Sequence, residues 1–386
     1  MNPKDFRNPE TGKAILTQTG YWAFIPAPLP PDLNWPLAVV SALSEAERDL
    51  SRLTTLAGAV SFARLLIQPF VRREAVLSSR IEGTHASLFD LYTYESAQLS
   101  LLEPSDDVRE VYNYVSALDY GMDRVKTLPV SLRLIREVHG KLMENVRGGH
   151  LTPGEFRRTQ NWIGPAGSTL ATATYVPPPV DEMNIGLDQL EKFIHAGSEI
   201  PTLVRAAMIH YQFEAIHPFL DGNGRVGRLL MILLFCEWGI LPQPLLNLSV
   251  YFEQYRQEYY DRLLAVSQRG EWDEWIRFFL RGVSIQARDS VVRLGQLQSL
   301  RTKYQAVVES ERNTQRMEQV LDFLFMRPIL SVRQLEDGLA INFTTAKRYI
   351  EKLVRAGILH EVTGYARNRI FRADEILKAV EGTEGE

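Results

Sequence analysis

The chain has 386 residues and a single cysteine, so it can form no internal disulfide and offers no cysteine-built metal site. That residue, Cys236, lies in the apolar run LLMILLFCEW and reads as a small core side chain, not as a nucleophile. Charge of one sign is also lacking. Lys and Arg number 43 against 47 Asp and Glu, a net charge of −4, which supplies no general field for nucleic acid and confines any such contact to a local patch. Long hydrophobic runs are missing too: the longest ends at Glu237, short of the roughly 20 residues that span a bilayer. The start, MNPKDFRNPETGK, has no signal-peptide core, so no membrane partner is expected and the cytoplasm is the expected location. No internal repeat is present. A hydrophobic content of 45% and a charged content of 23% describe an ordinary globular chain with room for two or three domains.

What is present is mainly helical periodicity. Residues 1–40 are proline-rich and read as an extended arm. From Ser44 to Glu82 an apolar stripe runs through Leu53, Leu56, Val60, Ala63 and Leu66, with Pro69 placed to begin a further helix and Gly83 to end it. Helices follow at 107–126, 131–145, 182–195, 201–216, 225–238, 254–267 and 273–311. One segment breaks the pattern. Trp162–Pro179, with Gly and Pro turns and then threonines, Tyr175 and Val176, reads as a short β-hairpin.

His217–Arg228, HPFLDGNGRVGR, concentrates chemistry. Glycines on both sides of Asn223 allow successive N–H groups to face one point, a nest for an anion, and the apolar run after it makes that point a helix N-terminus, where phosphate is favoured. Arg225 and Arg228 stand three apart and can present two forks to phosphate oxygens. Asp221 offers the kind of oxygen that Mg²⁺ takes alongside phosphates, and His217 is a candidate general base. Phe219 reads as a core anchor, and His210, two turns before His217, as structural.

The stretch resembles the signature of the Fic (Fic/Doc) family, H-x-F-x-[DE]-G-N-G-R-x-x-R, at every fixed position. The resemblance implies a mainly α fold: a Fic-type helical core with a short hairpin flap. It implies Mg²⁺ with ATP as substrate, and His217 activating a Ser, Thr or Tyr hydroxyl of a target protein. That hydroxyl attacks the α-phosphate; AMP is transferred and pyrophosphate leaves. The loop Asp221, Gly222, Asn223, Gly224, Arg225, Val226, Gly227 and Arg228 would bind ATP, with Asp221 on the metal, Asn223 and the glycine amides on the α- and β-phosphates, and Arg228 on the γ-phosphate. Ser78–Gly83, SSRIEG, resembles the family's inhibitory helix, [ST]-x-x-x-E-[GN], running from Ser78 to the Glu82-Gly83 pair and implying a clamp in which Glu82 occupies Arg228. Thr172, Ala173, Thr174, Tyr175 and Val176 correspond to the flap that docks an extended target segment, Val176 acting as an apolar clamp. Tyr259 matches the first tyrosine of an adenine-binding pair, although Ser267 stands where the family has asparagine.

Residues 1–105 are thus read as an N-terminal region with the inhibitory helix and 106–312 as the catalytic domain. Residues 313–376 resemble a winged helix, with 377–386 as a tail. Its basic residues Lys347, Arg348, Lys352, Arg355, Arg367, Arg369 and Arg372 leave DNA open as a partner, and Thr344 and Thr345 are candidate helix caps. The expected partners are ATP and a hydroxyl-bearing protein, self-modification and a homodimer being allowed for. Alternatives are hydrolytic removal of AMP, another Fic-type phosphate-group transfer, or a regulator whose winged helix does the work.

Overall fold

The amino-terminal arm folds back on itself. In the computed structural model, which describes residues 1–59, 63–97, 105–308, 314–364 and 368–382, β1 (Gly12–Leu16) pairs antiparallel with β2 (Trp22–Pro26). Ala23 and Phe24 of β2 are buried, so the arm forms a hairpin that covers apolar surface. Then come α1 (Leu37–Ala59), α2 (Ala63–Ile81), α3 (Leu88–Ala97), α4 (Asp106–Arg124) and α5 (Leu132–Leu142). The helical series continues with α6 (Val180–His195), α7 (Thr202–Ile216), α8 (Asn223–Glu237), α9 (Leu248–Gln254), α10 (Arg256–Arg269) and α11 (Trp272–Val308). Last are α12 (Thr314–Met326), β3 (Ile329–Ser331), α13 (Val332–Leu339), α14 (Phe343–Arg355), β4 (His360–Glu361), β5 (Ile370–Arg372) and α15 (Asp374–Glu381).

Several boundaries differ from the sequence reading. Pro69 lies inside α2 and does not begin a helix. Its neighbours Leu66, Phe70 and Val71 are buried on one stripe, and that burial outweighs the hydrogen bond a proline removes. Val60 of the expected stripe lies outside the described residues, as do the 309–313 junction and Arg367. The cap of α14 is Asn342, whose side chain accepts from the Thr345 amide at 2.8 Å; Thr344 and Thr345 do not cap it. The expected tail from 377 is helical through Glu381, because Ile376, Leu377 and Val380 are buried.

By packing, the chain forms two units that do not follow sequence order. The first contains 1–50, 113–242 and 248–286. Its centre is α7 and α8, apolar almost all round and buried along most of their length, with α6 against α7 and α5 against α8. Trp275 of α11 seals the far side of α7, its indole N–H donating to the Ala207 carbonyl at 2.9 Å.

The second unit contains 51–112, 243–247 and 287–386. Here β5 lies between β3 and β4 in an antiparallel sheet, with Ile329 and His360 both opposite Arg372. Ser331 and Gln334 form a capping box at α13, followed by α14 after a short turn. Helix α2 packs on α12, α15 and α3. Arg72 of α2 pairs with Glu95 of α3 at 2.8 Å, both nearly buried; Arg327 lies 3.8 Å from the same carboxylate, and Gln334 donates to the Glu95 carbonyl. Farther along, Arg73 and Arg293 share Asp289, and Arg293 also donates to the carbonyls of Ala379 and Val380 in α15. Removing one member of a buried ion pair leaves the other charge unmet, so Glu95→Ala should cost about 3–5 kcal/mol in urea unfolding. A loss below about 1 kcal/mol would show that Glu95 does not hold this unit together.

Candidate active site

Helix α7 ends at His217, whose φ of 48° is left-handed and whose amide still donates to Phe213. The chain then turns through Pro218–Asp221, and Gly222, with φ of 77°, starts α8. A left-handed backbone at the N-cap is the reason for glycine there; a Cβ would also press on Met143 Sδ. The amides of Asn223, Gly224 and Arg225 open the helix and have no carbonyl within it to bond, so an anion is favoured at this end. The expected nest is therefore one left-handed glycine followed by a helix start. The Val226 amide donates to the Gly222 carbonyl at 3.0 Å.

His217 is half-buried beside this end, and its Nδ1 lies 3.3 Å from the Glu214 carbonyl. A carbonyl only accepts, so that bond places the proton on Nδ1 and leaves Nε2 as the basic nitrogen. Asp221 keeps a carboxylate 44% exposed, with Oδ1 accepting from the Gly222 amide and 3.8 Å from Arg225 Nη2. Gly148 of a neighbouring loop makes room for it, since a Cβ there would collide with Asp221 Oδ2. An exposed carboxylate beside a phosphate-favouring helix end fits Mg²⁺, which takes one or two carboxylates plus phosphate oxygens and water. Arg225 and Arg228 are both buried; Arg225 Nη2 also meets Met143 Sδ at 3.7 Å.

Three residues that sequence reasoning missed hold the turn. His139 of α5 lies face to face with Phe219 at 3.7 Å; its Nδ1 accepts from the Gly154 amide at 2.8 Å, so its Nε2 donates to the Asp221 carbonyl at 3.1 Å. Burial pushes its pKa down to about 4, with the Arg225 charge acting in the same direction, so it stays neutral. Arg157 donates from Nε to the His217 carbonyl at 3.0 Å, and Asn161 Nδ2 donates to the carbonyls of His217 at 3.2 Å and Phe219 at 2.7 Å. A lone histidine on the apolar face of α5 was a weak signal for the first. GEFRRTQNW carries none for the other two.

Other expected residues behave differently. The Asn223 side chain is not aimed at phosphate: it closes the loop on Phe219, accepting from its amide and donating to its carbonyl, both at 2.8 Å. Val226 and Gly227 are buried packing positions; Gly227 lets the Glu214 carboxylate approach α8, where a Cβ would collide with it. Tyr259 lies in the core, stacked on Phe252 with its hydroxyl 2.7 Å from His210 Nε2, so its ring cannot wall an adenine pocket. Ser267 is likewise taken up, its Oγ 2.9 Å from the Tyr211 hydroxyl. His210 is structural as expected: burial, and secondarily the Arg228 charge, lowers its pKa to about 3. Burial raises the Cys236 thiol to about 12, so it remains protonated and unreactive.

The expected hairpin reduces to one bridged pair, Ile163 with Tyr175. Thr172 and Thr174 are exposed, but Ala173 is buried. Tyr175 and Val176 turn into the core: the Tyr175 hydroxyl donates to the Ala215 carbonyl at 2.9 Å, and the Val176 carbonyl accepts from the Phe24 amide of β2. Val176 is therefore no surface clamp; the exposed apolar side chains there are Trp162 and Ile163. In the second unit, Ser78 is buried, and Glu82 follows the end of α2 with an exposed side chain, where Gly83 at φ of 98° stops the helix.

The site is thus a histidine at the end of one buried helix and an anion-favouring start of the next. Comparison with known proteins agrees. Residues 40–123 match the Fic/DOC family N-terminal model and 129–235 the Fic/DOC family model, and the chain belongs to that family. It is 31% identical over 209 residues to the protein adenylyltransferase Fic of Culex quinquefasciatus, covering 51% of this chain and 37% of that one. With its namesake in Drosophila grimshawi it shares 30% over 179 residues, 45% of this chain and 33% of the other. The chain thus spans about a third of the length of these relatives. A Fic family protein from Desulfovibrio desulfuricans G20 has a similar fold, with a TM-score of 0.58 at 18% identity over 93% of this chain and all of that one. No helix among the described residues is long and apolar enough to cross a membrane.

Two consequences can be measured. Gly222→Ala should lose roughly 1–2 kcal/mol of stability through its left-handed backbone, read by urea unfolding; an unchanged midpoint would remove the strain argument. His139 and His210 should stay neutral in the folded chain at pH 5, giving two imidazole NMR signals that do not titrate there. The unfolded chain protonates both near 6.5. Their contribution is thus complete above about pH 6.5 and falls as pH drops toward about 4 for His139 and about 3 for His210. The slope is roughly 1.4 kcal/mol per pH unit for each. Titration of all histidine signals above pH 6 would contradict it.

Proposed function

We propose that this chain is a protein adenylyltransferase that transfers AMP from Mg-ATP to a Ser, Thr or Tyr hydroxyl of a target protein. One observation carries the reading: His217, its Nδ1 on the Glu214 carbonyl, closes α7 six residues before α8 opens at Asn223, where phosphate is favoured. His217 Nε2 takes the hydroxyl proton, because the neutral hydroxyl is a poor nucleophile. The hydroxyl oxygen attacks the α-phosphorus, and the bond to pyrophosphate breaks. The amides of Asn223, Gly224 and Arg225 stabilise charge that grows on phosphate oxygens in this step. Arg225 and Arg228 offer forks to the leaving pyrophosphate. Asp221 would hold Mg²⁺, which screens the phosphate charge when bound. The similarity to named adenylyltransferases supports this reading, within the share of their length that the chain covers.

Glu82 is the proposed brake. Its carboxylate follows the C-terminal end of α2, a poor place for an anion against the helix dipole, so a guanidinium partner relieves a local cost. Taking up Arg228 would withhold that fork from the γ-phosphate and leave the α-phosphate out of line. Thr172, Thr174, Trp162 and Ile163 form the exposed segment against which a target is proposed to lie. The C-terminal β3–α13–α14–β4–β5 region is assigned as a winged helix. Its basic residues argue for protein over DNA contact: Lys347 lies 3.8 Å from Glu351, Arg369 pairs with Glu361, and Arg372 with Asp374.

Incubation with α-labelled and γ-labelled ATP tests the reading. Label should enter protein from the α position only, with Glu82→Gly raising incorporation and His217→Ala lowering it about 10²–10⁴-fold while ATP binding persists. Incorporation from the γ position would indicate phosphoryl transfer instead. Loss of AMP from a modified protein that depends on Glu82 would indicate a hydrolase.

A further inference from the structure

We infer that Arg157 is a positioning residue for the base, fixing His217 and the target-facing segment with one buried cation. The inference rests on His217 being that base. Arg157 is 1% exposed, and every partner the structure gives its guanidinium is a backbone carbonyl. Nε donates to His217 at 3.0 Å, Nη1 to Thr159 at 3.2 Å and Nη2 to Pro178, while its own amide donates to Pro218 at 2.9 Å. Thr159 and Pro178 bracket the segment that carries Trp162, Ile163, Thr172 and Thr174. A single planar group therefore joins both ends of that segment to the residue proposed to take the proton.

The chemistry explains an arginine here. Burial lowers its pKa to about 10, which still leaves it charged at neutral pH. A buried cation met only by carbonyl dipoles holds them firmly, since letting one go exposes charge to an apolar interior. His217 needs such a hold because its backbone is left-handed, a conformation that a residue with a Cβ keeps only when its surroundings impose it. Asn161 Nδ2 donates to the same carbonyl at 3.2 Å, so two side chains from one loop fix it. Lysine carries the charge but has no planar fork, and cannot reach three carbonyls with fixed geometry. General-base catalysis depends on hydrogen-bond reach to the reacting proton, so a slack His217 backbone lowers turnover without touching the helix end that binds phosphate.

The test uses the full chain with Glu82→Gly, α-labelled ATP and self-modification as the readout, alone and with Arg157→Lys, Asn161→Ala or His217→Ala. Calorimetric titration with Mg-ATP counts competent sites in each variant and gives the affinity. Turnover per competent site should fall tenfold or more in Arg157→Lys and at least threefold in Asn161→Ala, with ATP affinity within twofold. A purely structural role would reduce the number of sites and leave turnover per site unchanged, which would overturn the inference. Equal losses in affinity and turnover would also overturn it, because the arginine would then serve nucleotide binding. If Arg157→Lys does not fold, Asn161→Ala decides by the same criterion. Normal turnover in His217→Ala, or no incorporation by any form, would sink the base assignment and this inference with it. Loss in His217→Ala alone would sink only the inference.

Discussion

A six-residue turn joins two helices that are apolar almost all round, and the rest of the first unit answers to it. Helices α7 and α8 bury nearly every side chain, so the chain between them reverses in the interior, where unpaired backbone groups are expensive. Its carbonyls and amides are met by side chains from elsewhere: Arg157 and Asn161 at His217, Asn161 and Asn223 at Phe219, and His139 at Asp221. With these backbone groups committed, the turn is held in one arrangement. The proposed placing of a base against a phosphate to within fractions of an ångström needs that uniqueness more than it needs extra stability.

Histidines show how burial divides the labour. His139 and His210 are both deep, both neutral, and each joins two elements through its two ring nitrogens. Their depressed pKa values follow from desolvation, and neutrality lets one nitrogen accept while the other donates. His217 is only half-buried and sits where a helix ends. The same side chain is therefore a brace in two places and a candidate base in the third, with solvent contact making the difference.

Much of this was legible in the sequence, and the reasons differ from place to place. The loop from His217 to Arg228 stood out because it sets specific residue types at fixed spacing. Long helices such as α6, α7 and α11 were legible from apolar periodicity. Tyr259 misled because a tyrosine pair on a helix looks alike whether its rings face a pocket or a core; only the contact of its hydroxyl with His210 decides. Val226, Gly227 and the Asn223 side chain sit within the signature but serve packing and loop closure, so a motif marks a site without saying which atoms touch the ligand. Arg157 and Asn161 were invisible because the partner they share, the His217 carbonyl, is a backbone group 60 and 56 residues away in the chain, and backbone partners leave no pattern in a sequence. The strand β3 was missed since three buried residues carry no period.

Sequence order also hides what holds the helix that ends before Glu82. Helix α2 precedes the His217–Arg228 loop by more than 100 positions, yet it packs with α12 and α15, which come after that loop. Arg72 and Arg73 are the anchors on α2, and Glu95 and Asp289 the carboxylates that receive them. Both carboxylates are also contacted by arginines from later in the chain, Arg327 and Arg293. A buried carboxylate shared by two guanidiniums offsets its desolvation better than a single pair does, and ties α2 to elements that no local signal connects with it. The place of the proposed brake residue is thereby set by the carboxyl-terminal third of the chain as much as by the motif around it.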